Sequence, residues 1–317
     1  SRVRPPLPAP NYKVIKSKFI TSIFQKYLRD QDIRIFKNSI NYYILFRILR
    51  KFLSHNIILN IYNFKIYGSI NKNRTSYFLL KKCEFGDYHE LSIIKKLSDK
   101  NNLLFIDCGC NYGFYSFYSA SLSDDNMILA FEASKKTSDE FLKNLKLNKF
   151  YNIQFENKAI SNSNDIEINF NESENDWESS ESHSDFNLSL VSSIKTLMLD
   201  TLVNKVNFDN YNTIIKLDIE GGETKALEGA FNLIKKASPL IIMEFSKYIF
   251  DDKSNVTFLR NFLKEFDYSI YDTNCIQKNL DELLIKLDKL NKRHKTIGNF
   301  YLIKNLSSNL KAFLKNE

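Results

Sequence analysis

With 317 residues, 43% of them hydrophobic, the chain can hold one large domain, or a catalytic domain of about 200 residues with an extension. Its apolar runs stay short of the roughly 18 residues a transmembrane helix needs, and no signal-peptide pattern opens it. The net charge of +8 is uneven: residues 1–100 carry 20 Lys and Arg against 6 Asp and Glu, a sum of +14, while the other 217 residues sum to −6. Cys83, Cys108, Cys110 and Cys275 show neither C-x-x-C nor metal-ligand spacing. That fits a reducing, cytoplasmic compartment.

In chain order, residues 1–10 hold four of the five prolines and read as a tail or expression remnant. Residues 15–53 are helical in pattern, with Ile20, Ile23, Phe24 and Tyr27 on one face. A later apolar face, Tyr43 to Phe52, is interleaved with Arg47, Arg50 and Lys51. Residues 57–67 and 77–82 read as two strands of a hairpin joined by NKNRTS, and residues 88–97 as a helix. Residues 11–100 thus read as an N-terminal helical and hairpin cap, 101–305 as the catalytic domain and 306–317 as a C-terminal tail.

The cap leads into LLFIDCGCNYGFYS, residues 103–116. Four apolar residues end in Asp107 and a loop with Gly109 and Gly113, and Phe114, Phe117 and Tyr118 follow at helical spacing. This is a buried parallel strand running into a helix through a glycine loop, the place where open α/β sheets bind nucleotide cofactors. A dinucleotide fingerprint, G-x-G-x-x-G, would need glycines where Asn111 and Phe114 stand. An acid beside so few glycines repels phosphate and suits the α-ammonium of S-adenosylmethionine. Taken alone, the stretch is also compatible with an ordinary βα loop.

Strands at 127–131, 153–155, 213–217 and 240–245 alternate with helices at 137–147, 224–235 and 256–266, the order of a parallel sheet. Two closing strands read at 268–271 and 297–303. The alternation is interrupted by short strands at 166–170 and 188–194, which flank the acidic, serine-rich segment SENDWESSESHSD.

Glu132 falls at the carboxyl end of the second strand, where an acid accepts both ribose hydroxyls. NAD and S-adenosylmethionine share that feature, and an acid there could also cap the next helix. Asn157 and Ala159, just past the third strand, fall beside the adenine. In IIKLDIEGGETKALEGA, residues 214–230, Asp218 ends the fourth strand, and Glu220 and Glu223 follow. Three carboxylates within six residues bind a cation, share protons or hold a substrate. Glu223 also suits a helix N-terminus. Lys216 could pair with Asp218, Glu244 converges on the same edge, and His183 could be delivered from the acidic loop.

IDCGCNYGFYS, AFEAS, NKAIS, LMLDTL, IKLDIEGGE and PLIIMEF, in this order and spacing, resemble the FkbM-type family of S-adenosylmethionine-dependent O-methyltransferases. The resemblance covers about residues 103–245. Cys110 stands where the family has Ala, and Ala133 where it has Pro. It implies an α/β fold with a doubly wound, Rossmann-like, seven-stranded class I methyltransferase sheet. It also implies methyl transfer to a hydroxyl of a sugar, glycan or natural product. Carried over position by position, cofactor binding falls to Asp107, Gly109, Asn111, Gly113, Glu132, Ala133, Asn157, Ala159 and Asp218. The catalytic candidates are Asp218, the first choice of base, with Glu220 and Glu223; use of a divalent metal stays open.

The acceptor side has Ile219-Glu220-Gly221 where base N-methylation uses an Asn/Asp-Pro-Pro-aromatic turn. A small-molecule or glycan acceptor, including a lipid-linked one, is therefore expected ahead of nucleic acid. Two alternatives remain: an RNA methyltransferase using the basic N-terminal third, and an NAD-dependent sugar oxidoreductase or epimerase. The basic third also permits peripheral contact with anionic lipid.

Overall fold

The computed structural model describes residues 57–68, 87–173, 188–290 and 295–305. The helices expected before Leu53, the strand at 77–82, His183 with most of the acidic loop, and the C-terminal tail lie outside them. The chain divides into two compact units, Ser1–Gly86 and Asp87–Glu317. In the first, β1 (Ile57–Ile61) and β2 (Phe64–Gly68) pair antiparallel, with Ile61 opposite Phe64. The stretch read as one strand is therefore a hairpin in itself. Tyr62 turns the chain at φ 50°, a conformation tyrosine does not advertise in sequence.

The second unit starts before α1 (Tyr88–Lys100), so this helix belongs with the sheet and not with the N-terminal extension. It buries Leu91, Ile93, Ile94 and Leu97, and the Leu97 carbonyl accepts a hydrogen bond from the Asn212 amide. Then follow β3 (Leu103–Cys108), α2 (Phe114–Leu122), β4 (Met127–Phe131), α3 (Lys135–Leu147) and β5 (Ile153–Glu156). A ribbon comes next: β6 (Ala159–Ile160), β7 (Glu167–Ser173) and β8 (Leu188–Leu197) form a separate sheet in the order β6-β8-β7. The alternation resumes with β9 (Asn212–Leu217), α4 (Glu223–Glu228), α5 (Phe231–Ala237), β10 (Leu240–Ser246), α6 (Lys247–Phe250) and α7 (Lys253–Glu265). It closes with β11 (Tyr268–Tyr271), β12 (Gln277–Lys278), α8 (Leu280–Asp288) and β13 (Thr296–Lys304).

The main sheet has the order β12-β11-β13-β10-β9-β3-β4-β5. β5, β4, β3, β9 and β10 are mutually parallel, and β13 inserts antiparallel between β10 and β11. This is the expected seven-stranded class I methyltransferase sheet, lengthened at its edge by the two-residue β12. All six residues of β3 are buried, as expected when helices cover both faces. From β3 the chain winds outward to β5, then returns and winds outward through β9 and β10. The crevice at this reversal opens beyond the carboxyl ends of β3 and β9.

One expected helix, 224–235, is broken into α4 and α5. At the break the Asp200 amide donates to the Gly229 carbonyl at 2.8 Å, and the Asp200 carboxylate accepts from the Asn232 and Leu233 amides at 3.1 and 2.8 Å, in place of helical bonds. A Cβ on Gly229 would also lie 2.1 Å from the carbonyl oxygen of Ser161. The apolar spacing of Ala226, Leu227, Ala230, Leu233 and Ile234, all in the core, runs through the break and conceals it. Among the described residues no helix is long and apolar enough to cross a membrane, and Cys108, Cys110 and Cys275 are buried.

Candidate active site

Two loops face each other across the crevice. Residues 109–113 follow β3, with Gly109 at φ 79°, Asn111 at 50° and Gly113 at 90°. The Gly109 and Cys110 amides both donate to the Phe131 carbonyl, at 2.9 and 3.0 Å, which straps the loop to the end of β4. Gly109 is required sterically: a Cβ there would meet the Asp218 carbonyl oxygen at 2.0 Å. Gly113 meets a different need, since its Cβ would strike the Phe117 ring at 2.5 Å and the Phe141 ring at 2.8 Å. It lets α2 pack and does not line the cleft.

The cleft between the loops encloses about 520 Å³, counting the solvent it opens onto. Gly109 and Asn111 line one side with Glu132, Ala133, Ser134 and Thr137; Asp218, Ile219 and Glu220 line the other, and Phe170 of the ribbon joins them. Of the expected cofactor residues, Gly109, Asn111, Glu132, Ala133 and Asp218 therefore meet at the cleft. Thr137 and Phe170 do so without a sequence motif to announce them. Phe170 is carried in by the ribbon, where it packs with Ala159, Ile194 and Ala133.

Glu132 is buried, and its two oxygens accept from the Asn111 and Ser134 amides, each at 2.9 Å. The helix cap is Ser134, whose hydroxyl accepts from the Thr137 amide. Burial raises the Glu132 carboxyl and the two amides oppose it, leaving it at about 7. Each oxygen keeps a lone pair for a ribose hydroxyl. Asn157 spends its amide on the Glu132 and Ala133 carbonyls, at 2.7 and 3.1 Å, so it ties two loop ends together.

Asp107 is buried behind the glycine loop. Its Oδ2 accepts from Ser116 at 2.6 Å, and its Oδ1 has no partner among the described residues. A buried carboxylate oxygen without a donor is costly. Together with the bare backbone at Gly109 and the paired acceptor at Glu132, it suits a cofactor bearing an ammonium, a ribose and no phosphate. S-adenosylmethionine fits this donor and acceptor set.

On the acceptor side, Glu220 stands at φ 51° and Gly221 at 111°. A glutamate in the left-handed region is strained, and such strain concentrates at functional loops. Glu223, fully buried at the start of α4, accepts from the Ile219 and Gly221 amides at 3.1 and 2.9 Å. It clasps the chain on both sides of Glu220. Its carboxylate thus faces the loop backbone, whereas Asp218 and Glu220 face the cleft.

Burial holds Glu223 up to about 8. A raised acid contributes stability below its unfolded value, near 4.5, and that contribution is lost as pH rises through 8. Glu223→Gln should therefore gain on wild type by a few kcal/mol between pH 5 and 8, measured by urea unfolding. A gap independent of pH would contradict the assignment.

Asp218 extends past β9 and is bound by Lys216, whose Nζ donates to Oδ2 at 2.6 Å. Lys216 is 3% exposed. Burial works against its charge, but Asp218 and Asp107 outweigh that and hold it above the ordinary lysine range. Oxygens of Asp218, Glu220 and Glu244 all lie within 4.8 Å of one another, a spacing one divalent cation could bridge. Burial and the Asp218 charge raise Glu244 to about 7.

An open, mostly parallel sheet with its cleft at the switch point is the fold of the class I S-adenosylmethionine-dependent methyltransferases, and Asp107 and Glu132 suit such a cofactor. The family model "Methyltransferase FkbM domain" matches residues 107–270, and the chain belongs to that family. No curated protein matches the chain. Among solved structures it is similar to the FkbM methyltransferase of Methylobacillus flagellatus, with 19% identity and a TM-score of 0.39. That match covers 72% of this chain and 52% of the other, so the chain spans about half the length of this relative. It is also similar to a precorrin-6y C5,15-methyltransferase of Geobacter metallireducens, at 11% identity and TM-score 0.37 over 70% of this chain and 90% of that one. An rRNA methylase of Streptococcus thermophilus aligns at 11% identity and TM-score 0.40, over 70% and 97%.

Proposed function

We propose that the protein transfers the methyl group of S-adenosylmethionine to a hydroxyl of a sugar, glycan or natural product, with Asp218 as general base. The observation that carries this reading is the Asp218 carboxylate at the end of β9, in the same cleft as Gly109 and Glu132 and followed by Ile219-Glu220-Gly221, where base N-methylation uses an Asn/Asp-Pro-Pro-aromatic turn. The cofactor supplies an electrophilic methyl on a sulfonium. Asp218 takes the proton of the acceptor hydroxyl as its oxygen bonds to carbon and the carbon–sulfur bond breaks. A positioned base is worth about 10²–10⁴-fold, and alignment of the two reactants adds to it. Glu220 holds the acceptor from the strained loop, and Glu223 keeps that loop in shape.

The test is transfer of a labelled methyl group, with and without Mg²⁺, across glycosides, lipid-linked sugars, phenolic small molecules and RNA. Label in a hydroxyl of a sugar or small molecule supports the proposal, and label in RNA alone overturns it. The +14 charge of residues 1–100 would then bias acceptor choice. Reversing Arg47, Arg50 and Lys51 should raise the acceptor KM at low salt and leave cofactor affinity unchanged. Unchanged acceptor kinetics would leave those residues as solvated charges.

A further inference from the structure

Lys216 is an unexpected residue near the carboxyl end of a buried parallel strand. Its neighbours Ile214, Ile215 and Leu217 are core, and a methionine or leucine would fill the same space without desolvating a charge. Its surroundings account for it. In register on β3 stands Asp107, and two residues on stands Asp218, bonded at 2.6 Å. The Tyr115 ring lies against the ammonium, 4.7 Å from Nζ to centroid. The Tyr115 hydroxyl in turn donates to Asp87 Oδ2 at 2.6 Å, just before α1. Four residues from four segments form one chain of contacts: Asp87, Tyr115, Lys216, Asp218. It starts at the head of α1, passes through α2 and ends in the cleft.

We propose that Lys216, braced by Tyr115 and Asp87, is a positioning residue that sets the orientation of the Asp218 carboxylate for methyl transfer. The inference rests on Asp218 being the base. An ammonium that is itself held on its far side can fix one carboxylate oxygen in place. Oδ2 is engaged by Lys216, so Oδ1 is the oxygen presented to the acceptor hydroxyl. Asp218 is 39% exposed in its side chain, and an aspartate so open would otherwise sample several rotamers. A stability role is a poor alternative, because a buried ion pair is no better for stability than packed hydrophobic residues. The brace belongs to rigid parts, a central strand and two helices, as precise positioning requires.

The experiment compares Lys216→Met, Lys216→Arg and Tyr115→Phe with wild type. S-adenosylhomocysteine affinity is measured by calorimetry, methyl transfer as kcat and KM, and the Asp218 side-chain carboxyl by its ¹³C resonance, identified through Asp218→Asn. Lys216→Met should bind S-adenosylhomocysteine within a factor of about two of wild type and lose at least about 30-fold in kcat, with the S-adenosylmethionine KM unchanged. Its Asp218 resonance should move. Lys216→Arg should recover most of the loss, and Tyr115→Phe, which keeps the ring and loses the bond to Asp87, should fall several-fold in kcat. Wild-type turnover, or an unmoved Asp218 resonance, in Lys216→Met would overturn the proposal. Loss of S-adenosylhomocysteine binding in Lys216→Met would overturn it too, since the lysine would then be serving the cofactor. If Lys216→Met fails to fold, Lys216→Arg and Tyr115→Phe decide, and wild-type kcat in Tyr115→Phe refutes the brace. Absence of S-adenosylhomocysteine binding in the wild type would refute the proposed function instead.

Discussion

Asp218→Asn is expected to cut turnover by at least about 10²-fold while S-adenosylhomocysteine affinity stays within a few-fold of wild type. An amide cannot take the acceptor proton. Its oxygen can still face Lys216, so the side chain keeps its place, but the ammonium loses its bonded carboxylate and keeps the more distant charges of Asp107 and Asp87. Some stability is lost with that pairing, though less than the roughly 3–5 kcal/mol of a fully buried pair, because Asp218 is 39% exposed. The comparison that matters is with Glu220→Gln. Wild-type turnover in Asp218→Asn together with a dead Glu220→Gln would move the base to the strained loop.

Gly109→Ala should be nearly as damaging, for a reason confined to the backbone. At φ 79° any other L-residue costs about 1–2 kcal/mol, and here the added methyl would also stand 2.0 Å from the Asp218 carbonyl oxygen. The ends of β3 and β9 would have to part, which breaks the bond from the Asp218 amide to the Cys108 carbonyl, 3.1 Å in the native structure. We expect about 2–4 kcal/mol of destabilisation in urea unfolding and loss of measurable turnover. Wild-type stability and S-adenosylhomocysteine binding in this variant would mean that the two loops are not in the contact described.

The strand–loop–helix at 103–116 was legible because three signals agree there: a continuous apolar run, left-handed glycines, and helical spacing beyond them. The seven main strands were legible for the same kind of reason. The features that were not legible depend on groups distant in sequence. The break between α4 and α5 goes with Asp200, which bonds the Gly229 carbonyl through its amide and the Asn232 and Leu233 amides through its carboxylate. Phe170 reaches the cleft only because β7 pairs with β8 in the register that places Phe170 opposite Ser192. α8 carries a clear apolar stripe, Leu280, Leu283 and Leu287, but it follows the two-residue edge strand β12 and lies outside every motif.

Site residues sort the same way. Asp218 and Glu132 stand at strand ends in the sequence pattern, and strand ends are where the cleft opens, so both line it. Glu223 is equally acidic and sits in the same motif, yet its carboxylate turns inward to two amides. Spacing cannot distinguish a carboxylate that faces the cleft from one that supports the loop beneath it. Lys216 shows the reverse case. Alternation alone makes it an ordinary strand lysine, and its role emerges only once Tyr115 and Asp87 are placed around it.

The most direct measurement of the central claim is calorimetric titration of the wild type and Glu132→Ala with S-adenosylhomocysteine and, separately, with NAD. The wild type should bind S-adenosylhomocysteine and not NAD. Glu132→Ala, lacking the acceptor proposed for both ribose hydroxyls, should bind about 1.5–3 kcal/mol more weakly. Tight NAD binding with no heat from S-adenosylhomocysteine would contradict the account.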